Sequence, residues 1–123
     1  MKTIRSIRVV SPRPWDVADD NVDVEVCLSD GSVYGATFFT LGNLESRFEK
    51  NSRTNEYAGG LYLWAADMIV VRTLTQDAIE RTVRDLLSQG DLESAFSLLT
   101  AQSSVAPEVV QRPYLPKVDE DSE

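Results

Sequence analysis

The sequence predicts an α+β domain: a mostly antiparallel β-sheet of four to five strands, with helices packed on one face. Three observations lead there. Residues 22–28, "VDVEVCL", alternate apolar and polar side chains, the period of a half-buried strand. The pair Asp30-Gly31 follows at once, and a second β-rich run, "VYGATFFT" (33–40), returns from it as the other arm of a hairpin. From Thr75 the period lengthens: Ile79, Val83, Leu86 and Leu87 form a helical stripe, with Thr75 as N-cap and Gly90 just past the end.

The remaining elements follow in chain order. "TIRSIRVV" (3–10) is a first strand with imperfect alternation, and "SPRPWD" stops it, because each proline removes a donor and restricts the residue before it. After the hairpin, "LGNLESRFEKNSR" places Leu41, Leu44 and Phe48 on one side and Glu45, Glu49 and Lys50 off it, an amphipathic helix. "TNEYAGG" punctuates. "GGLYLWAADMIVVR" (59–72) then reads as two strands, "YLW" and "MIVV", joined at "AAD" with Asp67 in the left-handed region, or else as one bent strand. Asp91 stands where it can cap a second short helix, "LESAFSLL", with Leu92, Ala95, Phe96 and Leu99 on one face. The order β-β-β-α-β-(β)-α-α gives one domain over residues 1–100. Residues 101–123 contain three prolines, no apolar period and an acidic end, and are expected to be disordered or strapped along the surface.

Composition excludes several function classes. The chain has 123 residues, enough for one hydrophobic core, with 42% hydrophobic and 26% charged residues, ordinary for a globular protein. Its longest apolar run is too short to cross a bilayer and its start lacks the apolar core of a secretory signal, so the expected compartment is the cytoplasm. There is no histidine and one cysteine. Ser-His-Asp and Cys-His nucleophiles and the usual zinc sites are therefore out of reach, and no internal disulfide forms. No glycine-rich phosphate loop has the required spacing. The formal net charge of −8 lacks the electrostatic footprint of a nucleic-acid binder and suits a basic protein surface instead. No cofactor and no metal is expected.

The negative charge is concentrated. Residues 16–30 hold Asp16, Asp19, Asp20, Asp23, Glu25 and Asp30 without a base, and residues 118–123 hold four more acids. An acidic run is most often a solvated face. This one occupies a loop and the strand after it, and alternation that buries Val22, Val24 and Val26 turns Asp23 and Glu25 outward, which makes a contiguous patch.

Four motifs carry a resemblance: Asp20-Asn21-Val22-Asp23-Val24, Ala36-Thr37-Phe38-Phe39-Thr40, Trp64-Ala65-Ala66-Asp67-Met68-Ile69 and the Gly90-Asp91 junction. Spread over residues 19–96, they resemble small bacterial immunity proteins encoded beside polymorphic or contact-dependent growth inhibition toxins. The resemblance implies a protein that binds and neutralises one cognate toxin without catalysis. An inhibitor of a basic, nuclease-type cleft benefits from clustered carboxylates, which hasten encounter and pair with Lys and Arg.

The expected toxin-binding surface is Trp15, Asp16, Asp19, Asp20, Asp23 and Glu25. Trp15 sits in a proline-stiffened loop beside the acids, where an exposed indole can anchor a partner, and core packing is the equal alternative. Trp64 is expected in the core. Asp67 lacks a local acid, nucleophile or metal partner, so a turn role or pairing with an arginine such as Arg72 is favoured over catalysis, with a direct toxin contact at a hairpin tip as the remaining alternative. Cys27 shares a strand face with Asp23 and Glu25, whose charge disfavours its thiolate, and is read as a small packing residue. Two rivals stand: a carboxylate-dependent metal enzyme using Asp19, Asp20 and Asp23, whose spacing matches no known metal loop, and a regulatory adaptor.

Overall fold

The computed structural model describes residues 2–100. Five strands and four helices follow one another as β1 (Ile4–Val9), β2 (Asn21–Leu28), β3 (Val33–Thr40), α1 (Leu41–Thr54), α2 (Tyr57–Gly60), β4 (Met68–Val71), α3 (Gln76–Ser88), α4 (Leu92–Ala95) and β5 (Ser97–Thr100). The expectations for residues 101–123 lie outside the described residues.

The sheet grows from the expected hairpin. β2 and β3 pair antiparallel from Asn21↔Phe39 to Cys27↔Val33, and β1 joins the free side of β2, also antiparallel. Gly31 takes φ 88°, the left-handed value that a Cβ disfavours, which is what the Asp-Gly signal implied. On its other side β3 serves two strands end to end: β5 runs antiparallel beside Val33–Gly35, and β4 runs parallel beside Thr37–Thr40. The parallel pairing is possible because α1 and α2 carry the chain back before β4 begins, as a crossover requires. The sheet is thus mostly antiparallel and the domain α+β.

The even-numbered row of the sheet makes the apolar core. Val22, Val24, Val26 and Leu28 stand beside Tyr34, Ala36 and Phe38, all buried, and Ile79 and Val83 of α3, Leu92 of α4 and Phe96 close over them. Phe38 meets Phe96 edge to face at 6.1 Å between centroids. The N-cap of α3 is as expected, with Thr75 Oγ1 accepting from the amide of Ala78 at 3.2 Å.

Three local expectations are corrected. "YLW" is not a strand; of the opening run only Met68–Val71 joins the sheet, although Asp67 does take the left-handed conformation, at φ 55°. The helix expected over 92–99 stops after Ala95, and Ser97–Thr100 becomes β5 because the edge of β3 beside Val33–Gly35 is free to take a strand. Asp91 makes no side-chain capping bond. The third concerns α1. Its buried side is Asn43, Arg47 and Asn51, while Leu41 is 56% exposed and Phe48 also faces solvent. Thr40 ends β3 and N-caps α1 through its hydroxyl, so no linker residue is available to rotate the helix. Asn43 donates nothing to the apolar core; its Oδ1 accepts from Asn21 Nδ2, on the odd-numbered row of β2. The apolar helices α3 and α4 share one face of the sheet, and α1 meets the polar row.

The hairpin turn generates a pH prediction. Asp30 Oδ1 accepts from the hydroxyl and the backbone amide of Ser32, and these bonds, with Lys2 nearby, lower its carboxyl pKa from 3.8 to about 2. A group with a depressed folded pKa contributes stability that is complete above its unfolded value and lost as pH falls through the folded one. Ser32→Ala is therefore expected to move the Asp30 titration upward toward 3.8. It also flattens the decline in unfolding free energy between that pH and about 2. Carboxyl carbon chemical shifts against pH, with urea titrations at each pH, check both.

Candidate protein-binding surface

The acidic loop between β1 and β2 is bolted down at both ends. At its start the indole of Trp15 donates to the carbonyl of Leu74 at 2.8 Å and packs against the core, while the Arg13 guanidinium lies 5.1 Å from the ring centroid. Two residues on, the carbonyl of Val17 accepts from the amide of Leu74 and from Thr73 Oγ1. Trp15 is accordingly a packing residue that joins the loop to the segment before α3: of its two equal readings, core packing holds and the exposed anchor does not. A proline-flanked indole with a core alongside gains more by burial and one satisfied N–H than by standing in water.

At its far end the loop binds α1. Asp19 Oδ1 accepts from Asn43 Nδ2 at 3.2 Å and its Oδ2 from Ser46 Oγ at 2.8 Å, while the Asp20 carbonyl accepts from the Thr40 amide. The first turn of α1 has no acid of its own, so Asp19 supplies the negative charge that the positive end of the helix dipole favours. Within the loop, Asp16 Oδ1 accepts from the Ala18 amide, and Asp20 accepts from the amides of Asp16 and Asn21. Asp16 and Asp19 are exposed and Asp20 is half-buried, so the three form a rigid acidic knob at the start of α1.

Asp23 and Glu25 do not belong to that knob. Each is only 6% exposed. Asp23 accepts from Thr37 Oγ1 at 2.8 Å and its amide donates to Ser11 Oγ, while Glu25 pairs with Arg8, its cross-strand neighbour on β1. Alternation says which residues share a face, not whether that face is open, and β2 is an inner strand. The outward placement expected for both is corrected: they are buried carboxylates held by hydrogen bonds, and Cys27 beyond them is half-buried. Asp19, tied to α1, and Asp23, tied to Thr37 within the sheet, face different partners. Among the described residues no group of three His, Cys, Asp or Glu is placed to hold a metal.

Sequence reasoning missed the apolar half of the surface. Leu41 and Phe48 are exposed along α1, about 10 Å apart at 1.5 Å per residue, and Leu41 adjoins the acidic knob through Thr40. At the other end α2 presses on α1: a Cβ on Gly60 would lie 2.9 Å from the Phe48 carbonyl oxygen. Leu61 (79% exposed), Tyr62 and Trp64 (61%) then follow in an uncovered segment. The turn before them is unusual. Tyr57, Ala58, Gly59 and Gly60 all have positive φ, and the amides of Gly60 and Leu61 donate to the carbonyls four residues back. This is a single left-handed turn, and two of its residues carry a Cβ, at a cost of about 1–2 kcal/mol each. Strain of this kind persists where the surroundings enforce it, and it is common at binding sites. Trp64, expected in the core, is corrected to a surface aromatic. Its only sequence signal was the pair Gly59-Gly60, which permits the turn.

Comparison of the chain with protein-family models, with curated proteins and with solved structures returns no match. The surface must be judged on its own chemistry.

That chemistry combines exposed apolar side chains with an acidic rim. Exposed Leu, Phe, Tyr and Trp are large apolar side chains of the kind on which interfaces depend, and the acidic rim at one end attracts positive charge. Arg47, buried beneath α1, has its pKa lowered by that burial, which the field of Tyr57 and Glu56 opposes.

Two predictions follow from this geometry. A Cβ on Gly42 would stand 2.6 Å from the carbonyl oxygen of Ala18, a backbone atom that cannot step aside alone. Gly42→Ala should push the acidic loop off α1 and lower stability by about 1–3 kcal/mol, measured by urea denaturation, with slowed Asn43 side-chain exchange lost in NMR spectra. For the buried carboxylate, Asp23→Ala should destabilise by about 1–3 kcal/mol, because Thr37 Oγ1 loses its acceptor in a dry layer. Equal loss on Asp16→Ala would contradict the burial contrast between them.

Proposed function

We propose that the protein is a non-catalytic inhibitor of the immunity type, acting in the cytoplasm, which binds one basic protein toxin and covers the cleft through which it acts. The observation that carries this reading is the juxtaposition on α1 of a rigid acidic knob and an uncovered apolar stripe. Asp16, Asp19 and Asp20 stand at one end, Phe48, Leu61, Tyr62 and Trp64 at the other, with Leu41 between. Acids speed encounter with a basic cleft, and desolvated aromatics slow release. The resemblance in residues 19–96 to immunity proteins supports the same reading, as does a chain with no histidine for acid–base or nucleophilic work. The metal-enzyme reading gains no support, since Asp19 and Asp23 are bonded to different elements.

The test uses the toxin domain encoded beside this chain's gene, in a growth-arrest assay and in surface binding with the purified pair. A variant combining Asp16→Asn and Glu45→Lys keeps the one Asp16 side-chain oxygen that accepts within the loop and removes charge at exposed positions. Its circular dichroism should match the parent, and its association rate should fall and lose most of its salt dependence. Trp64→Ala should raise the dissociation rate, at about 2 kcal/mol or more for a central anchor. Full protection by both variants, or the lack of any basic toxin domain beside the gene, would sink the reading.

A further inference from the structure

The outer edge of β4 carries a second, oppositely charged surface. A cleft of about 910 Å³ lies between β4 and α3, lined among others by Val70 and Val71 on the strand and by Arg72, Arg81 and Arg84. One acid, Asp85, lies among them. In a chain of net charge −8, three arginines at one cleft against one acid are a local reversal of sign. Arg81 is 3.7 Å from Asp77 in an exposed pair of small worth. Arg72 and Arg84 have no acid partner among the described residues.

The backbone of this cleft is also open. β4 ends its side of the sheet, with β3 against one edge and, among the described residues, no strand against the other. The Thr37 amide donates to the carbonyl of Asp67 at 3.0 Å. In a parallel ladder the bonded residues alternate along the strand, so Asp67, Ile69 and Val71 turn their backbone groups to β3. Met68 and Val70 turn theirs to the open edge, and Val70 is exposed there. A free row of N–H and C=O groups is a template for another strand.

We propose that the β4 edge accepts an extended acidic segment of a partner protein, which pairs with Met68 and Val70 and sets its carboxylates against Arg72, Arg81 and Arg84. Strand addition supplies affinity through main-chain bonds, and alternate side chains of the added strand supply selectivity. Carboxylates recurring every second residue fall on one face of such a strand, and arginine holds carboxylate with two parallel bonds. An anionic oligonucleotide would satisfy the arginines but leave the amide and carbonyl row unmatched. The proposal is independent of toxin binding at α1, whose chemistry is of opposite sign.

The experiment uses the full chain, a synthetic peptide of alternating valine and glutamate, and the same peptide with glutamine in place of glutamate. Amide hydrogen exchange by NMR should slow at Met68 and Val70 when the acidic peptide is added. Its affinity should exceed that of the glutamine peptide by at least about tenfold, and should drop by at least about tenfold in the variant carrying Arg72→Glu and Arg84→Glu. Both arginines are exposed and have no acid partner among the described residues, so that variant keeps the parent circular dichroism; Arg72→Gln with Arg84→Gln should give an intermediate loss. The proposal is overturned by equal affinity for the two peptides, by undiminished binding to the glutamate variant or by protection at other strands. Oligothymidylate binding more tightly than the acidic peptide overturns it too. So do Met68 and Val70 amides already protected without peptide, because the edge is then filled by the chain itself.

Discussion

Thr40 is the joint on which the architecture turns. It is fully buried, it is the last residue of β3, and its hydroxyl accepts from the Asn43 amide as the N-cap of α1. The same hydroxyl accepts from the Asp20 amide, and the Thr40 amide donates to the Asp20 carbonyl. One side chain therefore ends a strand, starts a helix and fastens the acidic loop. Because strand and helix meet without a spacer, the direction of each α1 side chain is set by the strand's own orientation. A helix so constrained buries whichever residues fall inward.

What falls inward on α1 is polar, and the sheet meets its first turn at Asn43. The even row of β2 and β3 is apolar and closes against α3 and α4. The odd row contains Asn21, Asp23, Glu25 and Thr37, and Asn43 of α1 meets it at Asn21. Polar groups taken out of water must find hydrogen bonds or lose several kcal/mol each. Hence the odd row is stitched by Asp23–Thr37, Asp23–Ser11 and Glu25–Arg8, which fixes register more sharply than apolar contact would. Such bonds add less to stability than the apolar side, where transfer from water is favourable throughout.

Placing the polar side of α1 inward leaves its apolar side in solvent. Leu41 and Phe48 are uncovered for that reason, and the left-handed turn at Tyr57–Gly60 carries the chain away so that Leu61, Tyr62 and Trp64 follow in the open. Contiguous apolar surface of this kind is unfavourable in a monomer and is usually kept for a partner. The exposed apolar surface is thus a consequence of how the core was divided.

Much of this was present in the residues themselves. Strict alternation over 22–28, the Asp-Gly turn and the Thr75-capped stripe are local signals, written within a few residues, and each gave the element it implied. The left-handed Asp67 was equally local. Other features depended on what lies across from a residue, which no local pattern contains. Asp23 and Glu25 alternate as an exposed pair would, yet an inner strand can be covered on both faces. Leu41, Leu44 and Phe48 have the spacing of a buried stripe, yet the direct junction at Thr40 left Leu41 and Phe48 exposed and Leu44 half-buried. Ser97–Thr100 has helical spacing, and the unpaired edge of β3 took it as a strand. Periodicity determines which side chains stand together; the tertiary structure decides which of two faces meets water, because that choice depends on the chemistry of the opposing layer.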